Sequence, residues 1–296
     1  MSLPRFEGLL ADRSLPAAGP ELMIALDIDG TTLRHDTSLS PRVRDAIHAH
    51  LDAGTRIMLA TGRGVAGTQV ALEVIGMDHG VAVCSNGAVI VSLGSTFPDE
   101  QTREIPDFVK TGDVPVRLLR EYTFNPEREI EILGAGLPDA IFAVESLTRR
   151  TRITAPFPPG ELSGETDIVP LSELAVPNAT RLTVRTPDMT AFELLEAVRE
   201  LGLQGVEYSV GWTAWMDIAP DGISKAAGLE GVRAQFDIDP ANTICIGDSG
   251  NDNEMLRWAG VGIAMGNAPE YVRANADAIT DHVDEDGSAL VLEALL

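Results

Sequence analysis

Residues 22–32 read LMIALDIDGTT, an apolar run that stops at Asp27 and Asp29 just before Gly30. A short apolar stretch closed by turn-forming residues has the signature of a buried strand. Its last position hands the chain to two acids that cannot both be ionised at close range without cost. Two carboxylates two residues apart repel unless a cation or a shared proton offsets them. The fold and the chemistry are therefore both to be read outward from Asp27.

Downstream, residues 40–54 (SPRVRDAIHAHLDAG) predict a helix, with Ser40 as N-cap, Pro41 at the first helical position and Gly54 past its end. TRIMLAT (55–61) is a second strand, VAGTQVALEVIG (65–76) a second helix and GVAVCSN (80–86) a third strand. Strand and helix in alternation predict an α/β fold, a Rossmann-like parallel sheet with helices on both faces. The alternation lapses near residue 93. From there to about 212 lie most of the prolines, the TAPFPPGELSGE loop, strands such as RLTVRT and GVEYSV, and the helix MTAFELLEAVRELG. This composition predicts an inserted α+β cap over 93–212, with arms hinging near 91–95 and 211–213. It leaves a discontinuous core of 21–92 and 213–296. The alternation resumes with the helix ISKAAGLEGVRAQFD, the strand NTICIGD, the helix NDNEMLRWAG and the strands VGIAM and DAIT.

The chain has 296 residues, with 45 acidic and 22 basic side chains and a net charge of −23. A polyanion of this kind is repelled by nucleic acid and by anionic membranes, so neither is an expected partner. No apolar run reaches the ~20 residues needed to cross a bilayer. Cys84 and Cys245 sit in apolar strands and read as core thiols of a cytoplasmic protein. Residues 1–20 lack the continuous apolar stretch of a secretory signal and read as a loosely held extension.

In open α/β sheets, ligands bind beyond the carboxyl ends of the strands. Asp27, Asp29, Thr61, Ser85, Asn86, Asp248 and Asp252 all fall at such ends. Each has a bland reading as a turn former or helix cap, but four strands deliver polar groups to one edge. Carboxylates without a Cys/His pattern or a calcium-loop spacing favour Mg2+, which takes oxygen ligands and leaves positions open. A phosphate would then need donors. Thr61 offers a hydroxyl, Gly62 and Arg63 offer amides at a helix start, and Lys225 offers an ammonium. Lys225 is one of only two lysines beside 20 arginines, which marks a position needing a compact cation rather than a planar fork.

These residues resemble the motifs of the haloacid dehalogenase-like hydrolase superfamily, in particular its Cof-type phosphatases with a large α/β cap. DIDGTTL (27–33), LATGR (59–63), SK (224–225) and GDSGND (247–252) stand in the family's order, and SNGA (85–88) and AMGNAPE (264–270) match further features. The interval of 164 residues between Thr61 and Lys225 leaves room for the cap. The resemblance implies a Mg-dependent phosphatase of a small phosphorylated metabolite, a sugar phosphate or similar monoester, working through an aspartyl-phosphate. Asp27 would be the nucleophile and Asp29 the general acid and base. Thr61 and Lys225 would stabilise the phosphoryl charge. Asp27, Asp29 (through its carbonyl) and Asp248 would hold Mg2+, with Asn251 or Asp252 in support. Gly62, Arg63, Asn86 and Asn251 would lie on the substrate side, with Ser85 and Asn267 in weaker supporting roles and Thr31 serving the turn. Two alternatives stand beside this reading: a phosphomutase or phosphotransferase with the same Asp pair, and a non-enzymatic phospho-acceptor signalling domain, which would place its acceptor Asp later than the acid pair. The latter has no need of a cap.

Overall fold

The computed structural model describes residues 3–13, 15–203, 205–210 and 214–296. A nine-stranded sheet forms the core. Six parallel strands run in the order Ala278–Ile279, Val261–Ala264, Thr243–Gly247, Met23–Leu26, Arg56–Ala60 and Gly80–Cys84. Val89–Leu93, Val116–Glu121 and Arg103–Glu104 extend it antiparallel.

Alternation along the strands splits the core into two layers. Ile24, Leu26, Ile57 and Leu59 face one side, against Ile47, Leu72 and Leu292 from the helices Pro41–Asp52, Val65–Ile75 and Gly287–Glu293. Met23, Ala25, Met58 and Ala60 face the other, against Leu229 and Leu256 from the helices Lys225–Gln235 and Asn253–Trp258. The period of two along each strand is what lets both faces be covered. The helix Pro41–Asp52 starts as its sequence predicts, with Ser40 Oγ accepting from the Arg42 amide and Pro41 in the first turn.

A second, six-stranded sheet carries the helices Glu127–Gly136 and Ala191–Leu201 on one face. Its strand order is Val206–Val210, Trp215–Pro220, Arg181–Arg185, Ile141–Glu145, Thr151–Ile153 and Thr166–Ile168. Phe142, Val144, Leu182, Val184, Met216 and Ile218 point into that layer. The polar residues that alternate with them lie on the opposite face, over the core's strand ends.

Sheet membership corrects the expected boundaries of 93–212. Residues 103–121 pair with the core sheet because Val116 and Leu118 bury against it. Trp215–Pro220 pairs within the second sheet. The insert therefore lies between Glu121 and Pro220. The expected arm at 91–95 begins within a core strand, Val89–Leu93. The other expected arm, 211–213, lies outside the described residues.

The amino-terminal segment is also held more firmly than its sequence suggested. Residues Phe6–Asp12 form a helix, and Phe6 is 2% exposed within the core. Arg5 bridges the edge strand at Ile279, whose amide donates to Pro4 O, and pairs with Asp281. Covering an open sheet edge and burying a phenyl ring together explain the docking. Among the described residues, no helix is long and apolar enough to cross a membrane.

Candidate active site

Asp27 directly follows the central strand, and Asp248 follows its parallel neighbour, so adjacent strands bring these two acids to one edge. Asp252 joins them from the next turn. Ligating oxygens of Asp27, Asp248 and Asp252 lie within 4.8 Å of one another, and all three residues are buried. Lys225, fully buried at the start of its helix, donates to Asp27 Oδ1 at 2.6 Å and to Asp252 Oδ1 at 2.7 Å.

Burial, then the charge of Asp252, pushes the Asp27 carboxyl up to about 7, against the pull of Lys225. Burial and the charges of Asp27 and Asp252 push Asp248 to about 9. Burial alone would lower the Lys225 ammonium, but Asp252 and Asp27 outweigh it and hold it above its ordinary value. Fully ionised, three carboxylates against one ammonium would leave two negative charges in a buried site, which is why burial holds two of the acids toward their neutral form. That excess and the all-oxygen donor set fit a divalent hard cation such as Mg2+.

The three acids have different duties. Asp252 Oδ2 accepts from the amides of Asp248 and Ser249, both at 2.9 Å, while its Oδ1 holds Lys225. It thus fixes the lysine and the turn, and is less free to ligate than Asp27 or Asp248. Asp248 Oδ2 is pinned by Asn267 Nδ2 at 2.9 Å, and the same amide group bonds Gly30 O. Gly30 has a φ of +84°, and a Cβ there would fall 2.2 Å from Asp248 Oδ2. Only glycine lets the first turn approach this acid. Thr31, expected to serve the turn, instead reaches Asp248 Oδ1 at 3.4 Å, while Thr32 bonds Asp27 O.

Asp29 is expected to ligate through its backbone carbonyl, and its side chain is engaged elsewhere. Its carboxylate stands outside the cluster of three and is held by Arg63, Nε to Oδ2 at 2.8 Å. Both oxygens accept from the guanidinium. Only its backbone carbonyl remains for a metal. Burial would lower the Arg63 guanidinium, but the Asp29 bonds raise it above its usual value.

Thr61 is buried, and its Oγ1 accepts from the Arg63 amide at 3.0 Å. The Arg63 N–H is thus directed at Thr61, not at an anion as the sequence suggested. Ser85 and Asn86 take left-handed φ values of 49° and 52°, a strained turn for residues with side chains. Their amides bond Arg63 O and Thr61 O. Asn86 Oδ1 accepts from Asn251 Nδ2 at 2.9 Å, and Asn251 in turn accepts from Ser249. Asn86 and Asn251 therefore join three loops around Gly62.

A cavity of about 380 Å³ opens above these groups, with Asp27, Asp29, Thr61 and Arg63 on its floor. The cap supplies Glu145, Arg149, Arg181, Trp215 and Asp217. None of these was singled out in the sequence. The available signal was the alternation of Arg181, Thr183 and Arg185 with apolar residues, together with the acid inside WMDIAP. Arg181 lies across the antiparallel ladder from Glu145, and Thr183 from Asp217. Asp217 Oδ1 accepts from Thr183 Oγ1 and Trp215 Nε1, both at 2.9 Å.

The model of the haloacid dehalogenase-like hydrolase family matches residues 24–292. A phosphoglycolate phosphatase of Natronomonas pharaonis is 30% identical over 92% of this chain and 95% of its own length. The pyridoxal phosphate phosphatase YbhA of Escherichia coli is 28% identical over 87% of this chain and 92% of its own length. A solved HAD subclass IIB sugar phosphatase shares the fold, with a TM-score of 0.74 at 21% identity over 93% of this chain and all of its own. With the motif acids at one sheet edge and a cap above them, the chain belongs to the haloacid dehalogenase-like hydrolases, in the Cof-type phosphatase group.

Proposed function

We propose that this phosphoric monoester hydrolase is a Mg-dependent phosphatase of a small phosphorylated metabolite, a sugar phosphate or similar monoester. The observation that carries the reading is the buried Asp27–Lys225–Asp252 arrangement beside Asp248, with Asp27 on the floor of the cavity. Asp27 Oδ1 is bonded to Lys225, which leaves Oδ2 to attack phosphorus. The O–P bond to the leaving alcohol breaks as the aspartyl-phosphate forms, and Asp29 supplies the alcohol's proton. Asp29 then takes a proton from water, which displaces the phosphoryl group and restores Asp27. For the first of these steps Arg63 must let go of Asp29, which takes up a proton from solvent before giving it to the alcohol, and an arriving monoester offers the guanidinium a better-charged partner. Lys225 and the Thr61 hydroxyl stabilise the equatorial oxygens.

Asp27 and Asp248, with the Asp29 carbonyl, would hold the metal, and Asp252 would support them. When bound, Mg2+ supplies charge neutralisation at the phosphoryl group. The relatives act, by name, on phosphoglycolate and pyridoxal phosphate, which supports a small monoester. The free, buried thiols of Cys84 and Cys245 support a reducing, cytoplasmic setting.

The test is inorganic phosphate release from a panel of phosphorylated metabolites with Mg2+, and again after chelation. Metal-dependent release from a subset supports the reading. Transfer to an alcohol without phosphate release would favour the phosphotransferase, and no turnover of any monoester would overturn the proposal.

A further inference from the structure

Arg181 lies in the cap, yet one of its hydrogen bonds ends in the core: Nη1 donates to Gly62 O. Its side chain is 6% exposed and paired with Glu145 and, at 3.4 Å, with Asp217. The contact is close on all sides. A Cβ on Gly64 would fall 2.3 Å from Glu145 Oε2, and one on Gly62 would fall 3.2 Å from Asp217 Oδ2. Cap acids thus rest against two glycines of the loop that follows Thr61.

The arrangement is poorly suited to adhesion alone. Burying an arginine with two carboxylates costs desolvation that apolar packing would avoid. The Arg181 Nε also has no partner among the described residues, a further cost in a buried site. What the arginine does achieve is directional. The carbonyl of Gly62 and the amide of Arg63 belong to one planar trans peptide, so fixing the oxygen fixes the N–H pointing the other way. That N–H donates to Thr61 Oγ1 at 3.0 Å. With one lone pair so engaged, the Thr61 hydroxyl is turned to give its own proton elsewhere.

We propose that Arg181 is a positioning residue that orients the Thr61 hydroxyl through the Gly62–Arg63 peptide, coupling cap closure to the phosphoryl seat. This rests on the phosphatase reading for the role of Thr61. With the cap closed, the peptide plane is clamped between Arg181 and Thr61. With the cap away, the Gly62 carbonyl loses its partner and the plane is free to rock. Closure would therefore do more than exclude water, because it would complete the donor set at the moment substrate is enclosed.

The test is a double-mutant cycle on a small activated ester, p-nitrophenyl phosphate, joined to amide hydrogen exchange on the protein without substrate. Arg181→Gln should lower kcat on the order of 10-fold with KM unchanged. The loss should vanish in a Thr61→Val background, because the group it acts through is gone. Exchange at the Arg63 amide should quicken on the order of 10-fold, while amides of the strand Met23–Leu26 stay protected. Gly64→Ala removes no charge and displaces Glu145 and Arg181 sterically, so it should reproduce both effects if Arg181→Gln does not fold. An undiminished loss in the Thr61→Val background, or an unchanged Arg63 amide in either folded variant, would overturn the proposal. Should the wild type hydrolyse no monoester, the phosphatase reading falls, and the exchange measurement still decides whether Arg181 holds the peptide.

Discussion

Arg63 grips both carboxylate oxygens of Asp29, Nε to Oδ2 at 2.8 Å and Nη2 to Oδ1 at 2.5 Å. A carboxylate held this way accepts twice and donates nothing, so on the proposed mechanism the pair would have to open for Asp29 to act as an acid. Both residues line the cavity. The first turn and the loop after Thr61 are thereby tied across 34 residues of sequence.

The acid–base role of Asp29 can be separated from its contact with Arg63. In Asp29→Asn, an aryl phosphate, whose leaving group needs no proton, should still phosphorylate Asp27. Stopped-flow should then show one equivalent of phenolate per enzyme, followed by arrest, because no base activates water. An alkyl monoester should give no burst. Wild-type steady-state turnover of the alkyl ester by folded Asp29→Asn would remove Asp29 from the chemistry.

Lys225 bridges two buried acids, and its loss would affect rate and fold differently. Lys225→Met should cost on the order of 10²–10³ in kcat, the usual effect of deleting one preorganised charge-stabilising donor. The metal-free protein should lose ~3–5 kcal/mol, because Asp27 and Asp252 are left unpaired. Lys225→Arg should recover stability better than rate, since a fully buried site has little room for a planar fork. Unchanged turnover in Lys225→Met would show the ammonium to be structural only.

The legible part of this protein was its strand ends. Asp27, Thr61 and Asp248 each close an apolar run, and the sheet order carries them to one edge because adjacent parallel strands end together. What escaped the sequence was partnership between distant segments. Nothing local shows that Arg63 turns to Asp29, that its amide serves Thr61, or that Arg181 reaches Gly62. The cap boundaries were misplaced for a related reason. Val116–Glu121 joins the core sheet by pairing with Val89–Leu93, and the prolines that suggested a new unit flank loops. Phe6 illustrates a third case, a lone aromatic whose burial depends on an edge strand more than 270 residues later.

The acid cluster should give the metal-free protein an unusual pH dependence. Asp27 and Asp248 sit at about 7 and about 9 in the fold, against an ordinary 3.8. Below pH ~4 both are protonated whether folded or unfolded, so the fold bears no penalty. Between pH ~4 and ~9 the native state binds more protons than the unfolded chain, and stability falls as pH rises. Melting curves in chelator should therefore decline by several degrees from pH 5 to 9, given that ~1 kcal/mol moves Tm by ~2–4 °C in a large domain. Asp248→Asn should flatten the decline, and Mg2+ should stabilise the wild type more at pH 8 than at pH 5. A metal-free wild type whose Tm tracks that of Asp248→Asn across this range would contradict the buried-charge account.

Phe6 offers a test of the amino-terminal dock that leaves the chemistry alone. Its ring is 2% exposed and packs into the core on the same side of the sheet as Ile24 and Leu26. The segment around it is tethered to the edge strand by the Arg5–Ile279 bridge and the Arg5–Asp281 pair. Phe6→Ala should destabilise the protein by ~3–5 kcal/mol, the usual loss for a phenyl ring whose cavity collapses only in part. Because Phe6 belongs to a core cluster and is not among the residues that line the cavity, kcat and KM below the unfolding transition should match the wild type. Limited proteolysis adds an independent reading. Cleavage near residues 13–15 should accelerate in Phe6→Ala while the core resists, since the helix Phe6–Asp12 would lose its main anchor. An unchanged Tm together with unchanged proteolysis would mean that the helix adds nothing to the fold, and that residues 1–20 are the loose extension their sequence first suggested.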